Sequence, residues 1–177
     1  MRISVVGTSG CGKTTLATAL ARELALPRIE LDAINWQAGW RDLQTHEPEE
    51  FKRRTAEAVA PEAWVCDGNY AMVRGIVWAR ATHLIWLDYE RPLIMWRVIS
   101  RSFVRALDQK ELFGGNHESF RHWLDKEHPI RWAWDTFLRR RKEYEALLTE
   151  PSNAHLAVRR LRHPGEVGEL MPWLRGR

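Results

Sequence analysis

A glycine-rich stretch near the N-terminus constrains this chain more than any other feature. Residues 7–15 read GTSGCGKTT and match the pattern G-x-x-x-x-G-K-[ST] without a gap, directly after the apolar run of residues 3–6. Such β-branched runs are typical of buried parallel strands, and the leucine spacing after Lys13 predicts a helix. Strand, loop and helix in this order are the context in which the motif cradles phosphate groups.

Each position of the motif has an expected contact with a nucleoside triphosphate such as ATP. Its glycines let the backbone curl until successive N–H groups point at one anion. Lys13 is expected to reach the β- and γ-phosphates, and Thr14 to offer its hydroxyl to Mg²⁺. The predicted nucleotide contacts are Gly7, Ser9, Gly10, Cys11, Gly12, Lys13, Thr14 and Thr15.

The rest of the chain alternates short apolar runs with helical patterns. Further strands are predicted at residues 28–31, 64–66, 83–87 and 156–161. Helices are predicted at residues 13–25, from Pro48 to the residue before Pro61, and at 92–107, 131–148 and 166–174. This alternation predicts one α/β domain over residues 1–177, with a parallel sheet between two layers of helices.

Aspartates follow three of the predicted strands, and the carboxyl ends of parallel strands point toward the glycine-rich loop. Asp67 is the expected carboxylate on the magnesium side, where it would hold a metal-bound water. Asp32 would orient or deprotonate an acceptor hydroxyl. Aspartates also cap turns after strands, and this alternative is favoured for Asp88.

Arginines recur at helical spacing in the second half of the chain. Arg97, Arg101 and Arg105 lie four apart, so they share one helix face beside the loose stretch 108–129. A loop flanked by arginines is suited to cover a phosphoryl-transfer site, so Arg97 and Arg101 are predicted phosphate clamps. For the run of residues 139–142, RRRK, a solvated face is at least as good an interpretation as a nucleotide clamp.

The ten tryptophans divide between predicted core and predicted site. Trp64, Trp86 and Trp96 occupy apolar periodic positions and are expected in the core, with Trp96 on the buried face of the 92–107 helix. Trp36 and Trp40 follow Asp32 closely. Stacking on a flat acceptor and packing on the next helix explain these two equally well.

Composition narrows the possible partners and location. The net charge of +4 and the pI of about 9.4 allow nucleic-acid binding, but 22 of the 27 basic residues are arginine, a ratio that a GC-rich genome also produces. No run of eighteen apolar residues occurs, so no membrane span is expected. Cys11 and Cys66 have no metal-ligand spacing. Reduced thiols in the cytoplasm are the expectation for such cysteines. The protein is expected to be a monomer or a homodimer.

Several further segments carry a resemblance to a known family. They are LDAINWQAGW, WVCDGNY, WLDYERPLIMWRVISRS, ELFGGNHESFRHW and RRRKEYEALL, together with GTSGCGKTTLA. On these segments the chain resembles the adenylate-kinase-like P-loop proteins, in particular the branch labelled DNA topology modulation proteins. The resemblance implies a three-layer fold with a five-stranded sheet of order 2-3-1-4-5, an acceptor-side region at about 33–61 and a lid at about 108–129.

The chain departs from this family on the acceptor side. Adenylate kinases follow the Asp-Gly of residues 67–68 with Phe-Pro-Arg, whereas this chain continues Asn69-Tyr70 and has its next arginine at Arg74. Asp32 is similar to a residue of shikimate- and gluconate-kinase-like members, whose acceptor is a small hydroxyl compound. The predicted acceptor contacts are therefore Asp32, Trp36, Trp40, Asn69, Tyr70 and Arg74.

The pattern and the resemblance together predict transfer of the γ-phosphoryl group of ATP to a small acceptor, such as a nucleoside, a nucleotide or another hydroxyl compound. The predicted catalytic residues are Lys13, Asp32, Arg97 and Arg101, and the predicted Mg²⁺ ligands are Thr14 and Asp67. The alternative is an ATP-hydrolysing regulator that acts on DNA topology through nucleic-acid binding.

Overall fold

The apolar run before the glycine-rich stretch forms the central strand of a parallel sheet. The computed structural model describes residues 1–108 and 129–176. Its strands are β1 (Arg2–Gly7), β2 (Arg28–Glu30), β3 (Trp64–Asp67), β4 (His83–Leu87) and β5 (Ala157–Leu161). They lie in the order β2-β3-β1-β4-β5, and every neighbouring pair is parallel. The predicted strand order is confirmed.

Helices connect the strands and cover both faces of the sheet. In the described residues they are α1 (Lys13–Glu23), α2 (Leu31–Asn35), α3 (Leu43–His46), α4 (Pro48–Ala58), α5 (Ala71–Arg80), α6 (Arg91–Asp108), α7 (Pro129–Thr149) and α8 (Leu170–Arg175). Short 3₁₀ turns occur at Ala38–Trp40, Pro151–Asn153 and Pro164–Glu169. No helix within residues 1–108 or 129–176 combines the length and apolar character needed to cross a membrane.

Two apolar cores form because alternate residues of each strand point to opposite faces of the sheet. One core contains Ile3, Val5, Val65, Ile85 and Leu87, packed against residues of α1, α6 and α8. The other contains Val6, Trp64, Cys66, Leu84 and Trp86, packed against residues of α4, α5 and α7. The result is the predicted three-layer α/β arrangement.

The buried face of α6 differs from the predicted one. Ile94 and Val98 are buried, whereas Trp96 is 71% exposed, so its predicted place in the core is wrong. The glycine-rich loop explains the difference, because a Cβ on Gly10 would lie 2.1 Å from Cγ2 of Val98. Val98 therefore packs directly on the loop. Trp64 and Trp86 are buried as predicted.

Two regions have more helix than the sequence predicted. Helix α5, between β3 and β4, was not predicted at all. Strand β2 ends at Glu30 and α2 begins at the next residue, so Asp32 lies in the first turn of a helix instead of at a strand end. The predicted lid at 108–129 falls outside the described residues except for its first and last positions.

The close approach of Gly68 to Leu31 predicts a measurable stability difference. A Cβ on Gly68 would lie 2.5 Å from Cβ of Leu31, and the φ of Gly68 is 148°, which L side chains rarely adopt. We expect Gly68→Ala to lower the free energy of unfolding in urea by about 2–4 kcal/mol, through overpacking and backbone strain.

The matched control is Gly75→Ala on α5, where an added Cβ would meet no atom of the described residues within 4 Å apart from the local backbone of its own helix. Because alanine favours helix over glycine, this variant should be as stable as the wild type or more stable by up to about 1 kcal/mol. Equal stability of the Gly68→Ala variant and the wild type would contradict the packing described for Gly68.

Candidate active site

The glycine-rich loop folds back on itself between β1 and α1. Gly7, Gly10 and Gly12 all have positive φ angles, of 147°, 83° and 97°, and Gly12 is the N-cap of α1. The N–H of Cys11 donates to the carbonyl oxygen of Thr8 at 3.2 Å, which closes the turn. This backbone curls into a concave loop at the positive end of the α1 dipole, the geometry that binds phosphate.

Lys13 and Arg97 place positive charge at the two ends of this loop. Nζ of Lys13 donates to the carbonyl oxygen of Thr8 at 3.1 Å, so the side chain reaches back over the loop. Nη1 of Arg97, from α6, donates to the carbonyl oxygen of Cys11 at 3.1 Å. The Cys11 side chain is buried beneath the loop, and this burial raises the pKa of its thiol. The Cys11 side chain is therefore a neutral group of the apolar core.

Thr14 and Asp67 meet where β1 and β3 run side by side. Oγ1 of Thr14 donates to Oδ2 of Asp67 at 2.8 Å, and Asp67 is only 3% exposed. The register aligns Val5 with Asp67, so the carboxylate lies level with the start of the loop. The other oxygen, Oδ1, accepts a hydrogen bond of 3.1 Å from Nε of Arg28.

This pair fits a magnesium ion by the chemistry of its donors. Hydroxyl and carboxylate oxygens are the hard ligands that Mg²⁺ prefers, and they lie within hydrogen-bond distance of each other. In the part of the chain that the structure describes, no group of three His, Cys, Asp or Glu side chains is placed to hold a metal. Mg²⁺ in phosphate-transfer sites usually has one or two protein ligands plus water and phosphate oxygens, so this count is sufficient.

Asp32 and Tyr70 form the acceptor side of the site. The Tyr70 hydroxyl donates to Oδ1 of Asp32 at 2.6 Å, and the Tyr70 ring packs edge-on against Phe51 with centroids 5.1 Å apart. Burial and the negative charge of Asp32 raise the pKa of Tyr70 well above its ordinary value. The phenol therefore stays a proton donor and fixes the orientation of the Asp32 carboxylate.

Asn69 joins the acceptor side to the loop. Its side-chain Nδ2 donates to the carbonyl oxygen of Gly7 at 3.0 Å, and the backbone carbonyl oxygen of Asn69 accepts from Nη1 of Arg140 on α7 at 3.2 Å. Each residue of this segment therefore has its own contact: Asp67 with Thr14, Gly68 with Leu31, Asn69 with Gly7 and Tyr70 with Asp32. One short segment after β3 aligns the nucleotide side with the acceptor side.

Two further predicted acceptor residues lie beside this segment, because Trp36 contacts the Tyr70 hydroxyl and Arg74 lines a small cavity with Gly68, Asn69 and Tyr70. Arg74 pairs with Glu143 of α7 at 2.7 Å, and its guanidinium lies 5.6 Å from the ring centroids of Trp78 and Tyr144. Trp36 and Trp40 contact each other edge to face, with centroids 5.4 Å apart, and Trp40 is exposed.

The predicted phosphate clamp Arg101 lies half-buried on α6, one turn beyond Arg97.

Asp88 has a larger role than the predicted turn cap. It is 5% exposed, and its carboxylate accepts hydrogen bonds from Arg141 of α7 at 2.7 Å and from Arg160 of β5 at 2.6 Å. It therefore ties α7 and β5 to the end of β4. The RRRK run at 139–142 is accordingly not a simple solvated face, since Arg140 and Arg141 both hydrogen-bond to residues at the sheet's carboxyl edge.

Comparisons with known proteins bear on the glycine-rich loop and on the fold. The family model described as ATPase family associated with various cellular activities (AAA) matches residues 3–63, which contain the glycine-rich loop. No curated protein matches the chain in sequence.

Solved shikimate kinases are similar in structure. The enzyme from Acinetobacter baumannii, in complex with shikimate, is 18% identical with a TM-score of 0.60, over 99% of this chain and 93% of that one. The enzyme from Bacteroides thetaiotaomicron is 18% identical with a TM-score of 0.58, over 99% and 97%. The enzyme from Aquifex aeolicus is 14% identical with a TM-score of 0.56, over 99% and 97%. The chain has the fold of P-loop kinases, while the branch labelled DNA topology modulation proteins stays a prediction.

The three tyrosines predict how stability depends on alkaline pH. Burial raises the pKa of Tyr89 and of Tyr144 to about 12, and that of Tyr70 is raised as well. An unfolded tyrosine has a pKa of about 10, so above that pH the unfolded chain loses protons that the folded chain retains. Stability should therefore be fully present below about pH 10 and fall as the pH rises toward 12.

Absorbance at the phenolate band, recorded with far-UV circular dichroism across this range, checks the prediction. We expect little phenolate signal between about pH 10 and 11 while the protein is folded, and full signal upon unfolding. A phenolate signal titrating near the ordinary tyrosine value in folded protein would contradict the burial of these side chains.

Proposed function

We propose that this protein is a P-loop phosphotransferase that moves the γ-phosphoryl group of ATP to a hydroxyl group of a small acceptor. One observation carries the proposal. Asp67 and Tyr70, three residues apart, contact Thr14 of the glycine-rich loop and Asp32 of α2 respectively. A candidate phosphate and metal site and a candidate proton acceptor are therefore held at one edge of the sheet by the same short segment.

The nucleotide side would stabilise the transferring phosphate by charge and position. The loop N–H groups and Lys13 would hold the phosphates, with Thr14 and Asp67 holding the metal. When bound, Mg²⁺ supplies positive charge that offsets the charge developing on the phosphate oxygens. Arg97, anchored on the Cys11 carbonyl, adds a fixed cation beside the loop. Arg101 stays a predicted clamp on the same helix.

The acceptor side would orient the hydroxyl that attacks the phosphate. Tyr70 occupies Oδ1 of Asp32, so the task of accepting the hydroxyl proton falls to Oδ2. Trp36, at the end of α2, lies one helical turn beyond Asp32 and remains a predicted acceptor contact, as does Trp40. Arg74, held by Glu143, would act by supporting the packing of α5 on α7.

The class of acceptor follows from the site and from its neighbours in structure. Asp32 is a hydrogen-bond acceptor suited to a hydroxyl group. The Acinetobacter baumannii protein of the same fold is a shikimate kinase in complex with shikimate. Both observations support a small hydroxylated compound over a nucleoside monophosphate as the acceptor of this chain.

ADP formation with a panel of acceptors tests the proposed function. We expect at least one hydroxylated acid, sugar or nucleoside to raise ADP production above the acceptor-free rate, with the γ-phosphate recovered on the acceptor. Lys13→Ala should lower this turnover at least about a hundredfold, because it removes a charge contact to the transferring phosphate. Lys52→Ala, which alters an exposed ion pair of α4 with Glu49, is the matched control and should leave turnover unchanged.

Two results would count against the proposal. One is acceptor-stimulated turnover by folded Lys13→Ala at the wild-type rate. The other is ADP production that no member of the panel increases.

Asp32→Asn should separate acceptor chemistry from nucleotide binding. We expect acceptor-dependent turnover to fall at least about a hundredfold, the usual size of a general-base contribution, while ATP affinity in the presence of Mg²⁺ changes little. Isothermal titration with a nonhydrolysable ATP analogue measures the affinity. Asp135→Asn, in an exposed pair with Arg131, is the control. Loss of ATP affinity with acceptor stimulation intact would place Asp32 on the metal side instead.

A further inference from the structure

Arg28 is a cation built into the candidate metal site. It is the first residue of β2, which pairs with β3 so that Glu30 lies level with Asp67. Nε of Arg28 donates to Oδ1 of Asp67 at 3.1 Å, and Nη2 lies 2.8 Å from Oε2 of Glu30. The Arg28 side chain is 25% exposed, so these contacts are only partly screened by solvent.

Carboxylate groups surround Arg28 at this place in the sheet. Both oxygens of Asp67 have protein partners, because Oδ2 accepts from Thr14 and Oδ1 from Arg28. Burial raises the pKa of Glu30, the negative charges of Asp67 and Asp32 raise it further, and Arg28 opposes this effect. Carboxylates from β2, α2 and β3 therefore face one region, and Arg28 is in direct contact with two of them.

We propose that Arg28 is a resident counter-cation that takes the place of the divalent ion in the metal-free protein and yields Oδ1 of Asp67 when the metal binds. The inference rests on the proposed role of Thr14 and Asp67 as Mg²⁺ ligands. A metal ion entering alone has to compete with the guanidinium charge for the same carboxylate. ATP phosphates bring further negative charge, so Arg28 makes metal binding depend on the nucleotide.

Removing the charge of Arg28 should strengthen metal binding in the absence of nucleotide. We use Mn²⁺ as the probe, and electron paramagnetic resonance of free Mn²⁺ as the measurement, without ATP or acceptor. Arg28→Gln, which retains N–H donors without the charge, should bind Mn²⁺ at least about fivefold more tightly than the wild type. Arg28→Lys, which retains the charge, should stay within about twofold of it.

A matched control excludes a general effect of net charge. Arg53→Gln removes an arginine that also contacts two carboxylates, those of Glu50 and Glu57, but on the exposed surface of α4. Its Mn²⁺ affinity should equal that of the wild type. In buffer with a chelator, Arg28→Gln should also melt at a lower temperature than the wild type, and excess Mg²⁺ should reduce this difference, because Asp67 regains a cation.

Wild-type protein provides a second measurement that needs no variant to fold. The Nε–H proton of Arg28 is hydrogen-bonded to Asp67, so its exchange with water is slowed. Mg²⁺ with a nonhydrolysable ATP analogue should speed this exchange in NMR spectra, whereas the analogue alone should change it much less. A proton whose exchange is unaffected by saturating Mg²⁺ and analogue overturns the proposal.

The Mn²⁺ result is equally decisive. Affinity of Arg28→Gln that is equal to or weaker than that of the wild type overturns the inference, and so does absence of Mn²⁺ binding to both proteins. Failure of the proposed function has a different signature, which is wild-type ADP production that no acceptor increases. The two failures are distinguishable because the Mn²⁺ measurement involves neither nucleotide nor acceptor.

Discussion

The contact between Asp67 and Thr14 is the interaction on which the rest of the site depends. It joins the end of β3 to the first turn of α1. Each of the three residues after Asp67 then has a specific contact of its own. Gly68 passes so close to Leu31 that a side chain would not fit, which brings α2 against β3. Asn69 and Tyr70 complete these contacts by bonding to the loop and to Asp32.

Arginines act in this protein as internal counter-ions as much as surface charges. Arg28 lies between the carboxylates of Asp67 and Glu30, and Arg141 and Arg160 both bind the buried Asp88. A buried carboxylate without such partners would destabilise the folded protein. The arginines therefore offset the cost of burying Asp67 and Asp88 at the end of the sheet. The basic composition therefore reflects in part the acidic residues collected at the carboxyl ends of the strands, and is weak evidence for nucleic-acid binding.

Helix α6 shows where periodicity stops being informative. Its sequence is apolar on two faces, one through Ile94 and Val98 and one through Trp96 and Phe103. The second face has the larger side chains, so the pattern favoured it as the core. The first face is buried because the glycine-rich loop packs on it, so closely that a Cβ on Gly10 would lie 2.1 Å from Cγ2 of Val98.

The sequence by itself determined what depends on neighbouring residues: the glycine-rich loop, the strands around it, their order through family resemblance, and Asp32 and Asp67 as candidate site residues. Only the tertiary structure decided which face of α6 is buried, that α5 is a helix despite its β-branched residues and Gly75, and which cation meets which carboxylate. Asp67 and Arg28 are 39 positions apart and Asp88 and Arg160 are 72 apart. No local pattern specifies such pairs, because they arise only when the sheet places β2 beside β3 and β5 beside β4.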